Sequence, residues 1–152
     1  RRFVERFGRF VEWEGTPYWL FPDARQIAAL SVQDLGGMQL SARKSEYLIE
    51  TARLIAEGKL SKQLLFEAGD IAKAEKLLIG MRGIGPWTAN YVLMRCLRYP
   101  SAFPIDDVGL HNAIKRMLGM DRKPAKEEIQ KLAAGWKNWE AYATFYLWRS
   151  LS

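Results

Sequence analysis

One cysteine, Cys96, and one histidine, His111, are all that this 152-residue chain offers to thiol chemistry and to soft metals. That excludes an intrachain disulfide, a four-cysteine iron–sulfur cluster and an ordinary zinc site, each of which needs several such ligands. Cys96 lies in a helical pattern and reads as a small core residue. Long apolar runs are missing as well. No stretch approaches the roughly 18 residues that a membrane helix needs, and no secretory signal opens the chain. The sequence begins at Arg1 rather than Met, as a fragment or a processed chain would. Period-2 alternation is scarce, which argues against a sheet-based fold.

What remains is a globular composition with a basic balance. Hydrophobic residues make up 49% and charged residues 26%, neither disordered nor fibrous. The length suits one domain, or two small lobes sharing a core. The net charge is +6 and the pI is near 9.5. A basic surface favours polyanionic partners and speeds encounter with them.

The i, i+3, i+4 pattern recurs along the chain. Phe3, Phe7, Phe10 and Val11 share one face of an expected first helix, broken at Gly15-Thr16-Pro17 and again at Pro22-Asp23. Ile27 and Leu30 mark a short helix. Ser41 caps a longer one bearing Leu48, Ala52 and Ile55, with Gly58 as its stop. Asp70 caps a helix with Ile71, Ala74, Leu77 and Leu78. Pro86 opens the next, which carries Ala89, Val92, Leu93, Cys96 and Leu97 inward until Pro100 and Pro104 end it. Asp107 precedes Leu110, Ile114, Met117 and Leu118. Pro124 opens a helix with Ile129, Leu132 and Ala133 inside. Asn138 caps a last one with Trp139, Tyr142, Ala143, Tyr146 and Leu147. The expectation is an all-α, compact multi-helix bundle of about eight helices with short connections.

The densest local signal is Gly80-Met81-Arg82-Gly83-Ile84-Gly85-Pro86 between two helices. Glycine permits positive φ and close approach of another backbone. Amides at the second helix's start lack helical partners and sit at the positive end of its dipole. Gly83, Gly85 and Trp87 therefore have amides to offer to a phosphate oxygen. Contact through backbone alone reads no base sequence. A tight corner whose glycines only solve a packing problem is the structural alternative. No lysine follows the glycines in the manner of a nucleotide-binding loop.

The run Ile79-Gly80-Met81-Arg82-Gly83-Ile84-Gly85-Pro86-Trp87-Thr88-Ala89 resembles, with a one-residue offset at its start, the L-x-G-I-G-x-W-T-A hairpin of the helix–hairpin–helix DNA glycosylase superfamily. That superfamily follows the hairpin with a Gly/Pro-rich loop and an essential aspartate. Here Ser101 to Gly109 reads SAFPIDDVG, and Asp107 lies 20 positions after Trp87. The closing Trp136 to Trp148 segment, WKNWEAYATFYLW, is similar to the bacterial 3-methyladenine DNA glycosylase II branch. The likeness covers nearly the whole chain, with the hairpin at about 70–98 and the loop at about 100–109. Relatives carry a further N-terminal lobe, and a helix whose side chain wedges into the gap left by the flipped base. On this likeness residues 1–152 form an N-terminally incomplete glycosylase domain.

The resemblance implies the following chemistry. Asp107 is the catalytic carboxylate that stabilises oxocarbenium character at C1′, while Asp106 caps or supports the loop. Nicking relatives carry a lysine where this chain has Trp87. Tryptophan cannot form a Schiff base, which implies a monofunctional enzyme that leaves an abasic site. Tyr91 and Trp148, with Trp87 nearby, line a pocket for cationic bases such as 3-methyladenine and 7-methylguanine. Cation–π attraction there is worth roughly 0.5–2 kcal/mol. Gly83, Gly85, Trp87 and Thr88 bind DNA phosphate. The backbone carbonyls of Ile79, Met81 and Ile84 hold a monovalent sodium or potassium ion, and no cofactor serves the chemistry. The partner is double-stranded DNA containing damaged bases, met by a monomer in the bacterial cytoplasm, with no membrane.

Other residues keep two readings. Arg82, Arg95, Arg98, Lys115 and Arg116 are candidate phosphate contacts or solvated surface charges. His111 contacts phosphate or packs. Trp136, Trp139, Tyr142 and Tyr146 fall at helical spacing and read as packing residues. The rival functions are a non-catalytic helix–hairpin–helix docking module, or an inactive truncated glycosylase. Further off stands a metal-dependent nuclease using Asp106, Asp107, Glu127 and Glu128.

Overall fold

A computed structural model of the chain describes residues 1–151. They divide into two compact units, one spanning Arg1–Ser61 and the other starting at Lys62.

The first unit contains α1 (Arg2–Phe7), β1 (Arg9–Trp13), β2 (Thr16–Leu20), α2 (Ala24–Ala28) and α3 (Ala42–Ala56). The expected first helix is thus cut short. Its later half, with Phe10 and Val11, is the first strand of an antiparallel hairpin, in which Arg9 faces Leu20 and Trp13 faces Thr16. Glu14 and Gly15 both have positive φ, 49° and 72°, the turn that matches the twist of a two-residue hairpin. Gly8 ends α1 at a point where a Cβ would meet the Leu20 carbonyl at 2.2 Å. A 3.6-residue spacing of aromatics could not reveal this crossing. The helical folding of α2 and α3 follows the caps. The Asp23 carboxylate accepts from the Arg25 amide, and the Ser41 hydroxyl accepts from the Lys44 amide. The buried stripe of α3 is Ser45, Ile49 and Ala52. Ile55, expected inside, is exposed.

The second unit holds α4 (Lys62–Glu67), α5 (Ile71–Ile79), α6 (Pro86–Arg95), α7 (Val108–Met117), α8 (Lys126–Ala133), a 3₁₀ turn (Ala134–Trp136) and α9 (Glu140–Arg149). Ala74 and Leu78 of α5 and Ala89 and Leu93 of α6 are buried. Leu110, Ala113 and Ile114 of α7, Ile129 of α8 and Leu147 of α9 form a cluster, flanked by Phe103, Ile105, Leu132 and Trp136. Each fully buried Leu or Ile side chain contributes about 1.5–3 kcal/mol. The architecture is all-α in its bulk, as expected, with the hairpin as its addition.

Several positions of the apolar pattern face outward instead. Leu77, Met117 and Leu118 are exposed. Cys96, the C-cap of α6, is exposed too, because the helix has already ended there. Trp139, Tyr142 and Tyr146 are 60%, 52% and 71% exposed; only Trp136 of that group joins the core. Asn138 makes no cap. It sits at φ 71°, and α9 begins after Trp139 without a side-chain cap.

Candidate active site

α5 and α6 make a helical hairpin, and the turn between them is built as its residues require. Gly83 has φ +87°, a left-handed value that costs other L residues about 1–2 kcal/mol. Gly85 is the N-cap of α6 in extended conformation, with no side-chain cap, and Pro86 opens the helix. Ala89 donates the first intrahelical bond to the Gly85 carbonyl at 2.9 Å. The amides of Trp87 and Thr88 thus precede any helical acceptor. A Cβ on Gly85 would meet nothing within 4 Å. The chain itself does not fill that face.

Asn90, on α6, ties this corner to the loop that follows. Its amide NH₂ donates to Glu75 Oε1 on α5 at 2.6 Å and to the Pro86 carbonyl at 3.1 Å. Its carbonyl oxygen accepts the Phe103 amide at 3.0 Å. His111 donates a ring N–H to the Ile105 carbonyl at 2.7 Å, so it packs against the loop. The loop is clamped at both ends and delivers Asp107 to the start of α7.

Asp107 is the N-cap of α7, and its carboxylate also meets two indoles. Oδ1 accepts from the Leu110 amide at 2.7 Å and from Trp148 Nε1 at 2.8 Å. Oδ2 accepts from Trp87 Nε1 at 2.9 Å. All three donors are neutral, so they orient the carboxylate without cancelling its charge. Asp106 differs. It is exposed and bound by the Lys126 ammonium at 2.9 and 3.1 Å. Of the adjacent aspartates, Asp106 is thus paired with an ammonium, whereas the donors to Asp107 are uncharged.

The two indoles that hold that carboxylate are both neighboured by the Tyr91 ring. Trp87 and Tyr91 stack at 5.4 Å with 27° between planes, and Tyr91 lies 6.1 Å from Trp148. Phe145, which the sequence reading passed over, meets Trp148 edge-on at 5.6 Å. Arg95 lies over the Phe145 ring at 5.3 Å. Beyond it a cavity of about 370 Å³ is lined by Arg95, Arg98, Tyr142 and Phe145 among others. Trp87 and Tyr91 remain 42% and 37% exposed, leaving ring surface for a ligand.

These arrangements put the α5–α6 hairpin, its Gly/Pro-rich loop and the capping aspartate in one unit. A family model described as "HhH-GPD superfamily base excision DNA repair protein" matches residues 1–139. The chain belongs to the HhH-GPD superfamily. Within that superfamily it is 55% identical over 151 residues to a DNA-3-methyladenine glycosylase of Bacillus subtilis, covering 99% of this chain and 50% of that protein. It is 34% identical over 144 residues to DNA-3-methyladenine glycosylase 2 of Escherichia coli, covering 95% of this chain and 46% of that one. The solved 3-methyladenine DNA-glycosylase of Archaeoglobus fulgidus superposes with a TM-score of 0.78 at 30% identity, over 97% of this chain and 48% of the other. The chain spans about half the length of the curated relatives it matches.

Some residues outside this HhH-GPD centre have partners of their own. Arg116 donates to the Ser150 carbonyl. Glu128 pairs with Arg122 and accepts the Ala125 amide. Among the described residues no three His, Cys, Asp or Glu side chains gather as metal ligands. No helix among them is long and apolar enough to cross a membrane. Asn90 and Phe145 are absent from the expectations drawn from the sequence, and Gly109 stands there only as the end of the loop. The signal for Asn90 was a polar residue next to the inward Ala89, and for Gly109 a glycine in the first turn of a capped helix.

Proposed function

We propose that the chain carries the catalytic centre of a monofunctional DNA glycosylase for alkylated purines. It hydrolyses the N-glycosidic bond of bases such as 3-methyladenine and 7-methylguanine in duplex DNA. The observation that carries this reading is Asp107, held by three neutral donors beside the rings of Trp87, Tyr91 and Trp148.

In this mechanism the α6 N-terminus grips the sugar-phosphate strand. The amides of Gly83, Gly85, Trp87 and Thr88 meet phosphate oxygens, and the bare Gly85 face lets the strand approach. The target nucleotide leaves the stack. Its cationic base is attracted to the faces of Tyr91, Trp148 and Trp87. As the C1′–N bond breaks, its electron pair leaves with the base and positive charge develops on the sugar. The Asp107 carboxylate stabilises that charge, orients the water that adds to C1′ and takes the proton which that water gives up, while the cationic base departs neutral. Trp87 offers no amine, so no Schiff base forms and the strand stays intact.

Carbonyls in the hairpin also suit a monovalent cation, since a hard ion takes oxygen ligands. The Met81 carbonyl accepts the Ile84 amide at 3.1 Å and retains a second lone pair. With Ile79 and Ile84 it would hold Na⁺ or K⁺ against a phosphate; when bound, that ion supplies charge neutralisation and not chemistry.

Release of 3-methyladenine and 7-methylguanine from alkylated duplex tests the proposal. Asp107→Asn is expected to lower release by at least about 100-fold while duplex binding persists. Equal release by both chains would overturn the catalytic assignment. Binding by both with release by neither would leave a docking module. A covalent DNA adduct trapped by borohydride would refute the monofunctional reading.

A further inference from the structure

We infer that Gly109 is a positioning residue for the Asp107 carboxylate, because it keeps open the passage through which Trp148 reaches it. This rests on the proposed role of Asp107. Gly109 is the second residue of α7, where any other residue would project a side chain over the first turn. A Cβ built there stands 2.9 Å from Asp107 Oδ1, 3.1 Å from Trp148 Nε1 and 3.2 Å from Trp148 Cδ1. Those are the two groups joined by the 2.8 Å Trp148–Asp107 hydrogen bond. The first distance is shorter than real Cβ contacts, so something must move. The helix backbone is held there by the His111 amide donating to the Asp107 carbonyl at 3.0 Å. Trp148 is wedged between Tyr91 at 6.1 Å and Phe145 at 5.6 Å. The carboxylate is therefore what turns, and its turning displaces Oδ2 from Trp87.

Glycine at this position is thus unexplained by backbone conformation. Its φ is not in the left-handed region, and on helix propensity alone alanine would be the better residue. The glycine serves the indole: it lets a donor from α9 cross the first turn of α7. With one oxygen fixed by Trp148 and Leu110, the other is aimed by Trp87. Loss of the Trp148 bond releases the orientation, not the charge.

The tests combine structure and rate on the 152-residue chain. In ¹⁵N-edited NMR spectra of the free protein, the Trp148 indole N–H signal is identified by its loss in Trp148→Phe. Gly109→Ala should move that signal toward its position in Asp107→Asn; an unmoved signal overturns the inference without reference to activity. In excision assays Gly109→Ala should lose about 10- to 100-fold in kcat, with KM within about twofold of wild type. Trp148→Phe, which removes the same N–H and adds no atom, should fall in the same range. The double variant should be no slower than Trp148→Phe alone, since both lesions act through one bond. Wild-type kcat in either single variant, or multiplied losses in the double, would overturn it. Full activity of Asp107→Asn would instead sink the catalytic reading, while the indole signals still decide the contact.

Discussion

Asn90 shows how much one side chain can hold. It bridges α5, the first turn of α6 and the loop leading to Asp107 with three hydrogen bonds. Removing it strands the Phe103 amide and a Glu75 carboxylate oxygen in partly buried surroundings. Asn90→Ala should lower stability by about 2 kcal/mol, read as a shift in the urea midpoint. Excision should fall with it, since the loop that presents Asp107 loses its anchor. A variant with unchanged stability would mean that the loop is held by its other contacts, such as Ala141 donating to the Pro100 carbonyl at 2.9 Å. At the same scale, the choice between Asp106 and Asp107 turns on the donors. An ammonium cancels one carboxylate's charge, whereas indoles and an amide leave the other's intact.

At the scale of elements, the two glycines of the turn separate by task. Gly83→Ala forces a side chain into φ +87° and should cost about 1–2 kcal/mol. Gly85→Ala meets no atom within 4 Å and should leave the melting temperature within a degree or two. Duplex affinity should respond more to the Gly85 change, because its new Cβ would stand on the open face proposed to receive a phosphate. Equal affinity for DNA in Gly85→Ala and wild type would remove the hairpin from the interface. α8 has a pH-sensitive entry. The Arg122 guanidinium and the Ala125 amide, in that order, hold the Glu128 carboxyl down to about 2, from an ordinary 4.5. A depressed folded value gives stability that is present above pH 4.5 and lost as pH falls toward 2. Glu128→Gln should therefore flatten the decline of melting temperature between those limits. A decline as steep as wild type would show that the ion pair contributes nothing.

At the scale of the whole molecule, the +6 charge bears on the proposed encounter with DNA. Lys and Arg contacts to phosphate release counterions, at a slope of about 0.9 per contact. Arg98 is exposed at φ +59° beside the cavity that Arg95 and Phe145 also line. Arg98→Ala should reduce the slope of log Kd against log salt on undamaged duplex by about 1, with little change in excision once DNA is bound. An unaltered slope would make Arg98 a solvated surface charge. The proposed centre lies within the unit that starts at Lys62. The first unit contributes a hairpin on which Phe10, Trp13, Tyr18 and Trp19 are exposed.

Most caps and breakers could be read from the amino-acid order alone, because they act over three or four residues; Asn138, which makes no cap, is the exception. Ser41, Asp70 and Asp107 cap as their chemistry dictates, and Pro86 opens α6. Pairings across the chain could not be read so. The aromatic spacing of Phe3 to Val11 fits a helix, yet a Glu14-Gly15 turn and a cross-strand register make it half a strand. Tyr142 and Tyr146 share the helical spacing of Leu147 and still face outward. Trp148 lies 41 residues from Asp107, and no local rule predicts an indole donating over a glycine. Local order determined which residues could form the site; packing of α6, α7 and α9 decided which atoms meet, since hydrogen bonds depend on distances that only the folded chain sets.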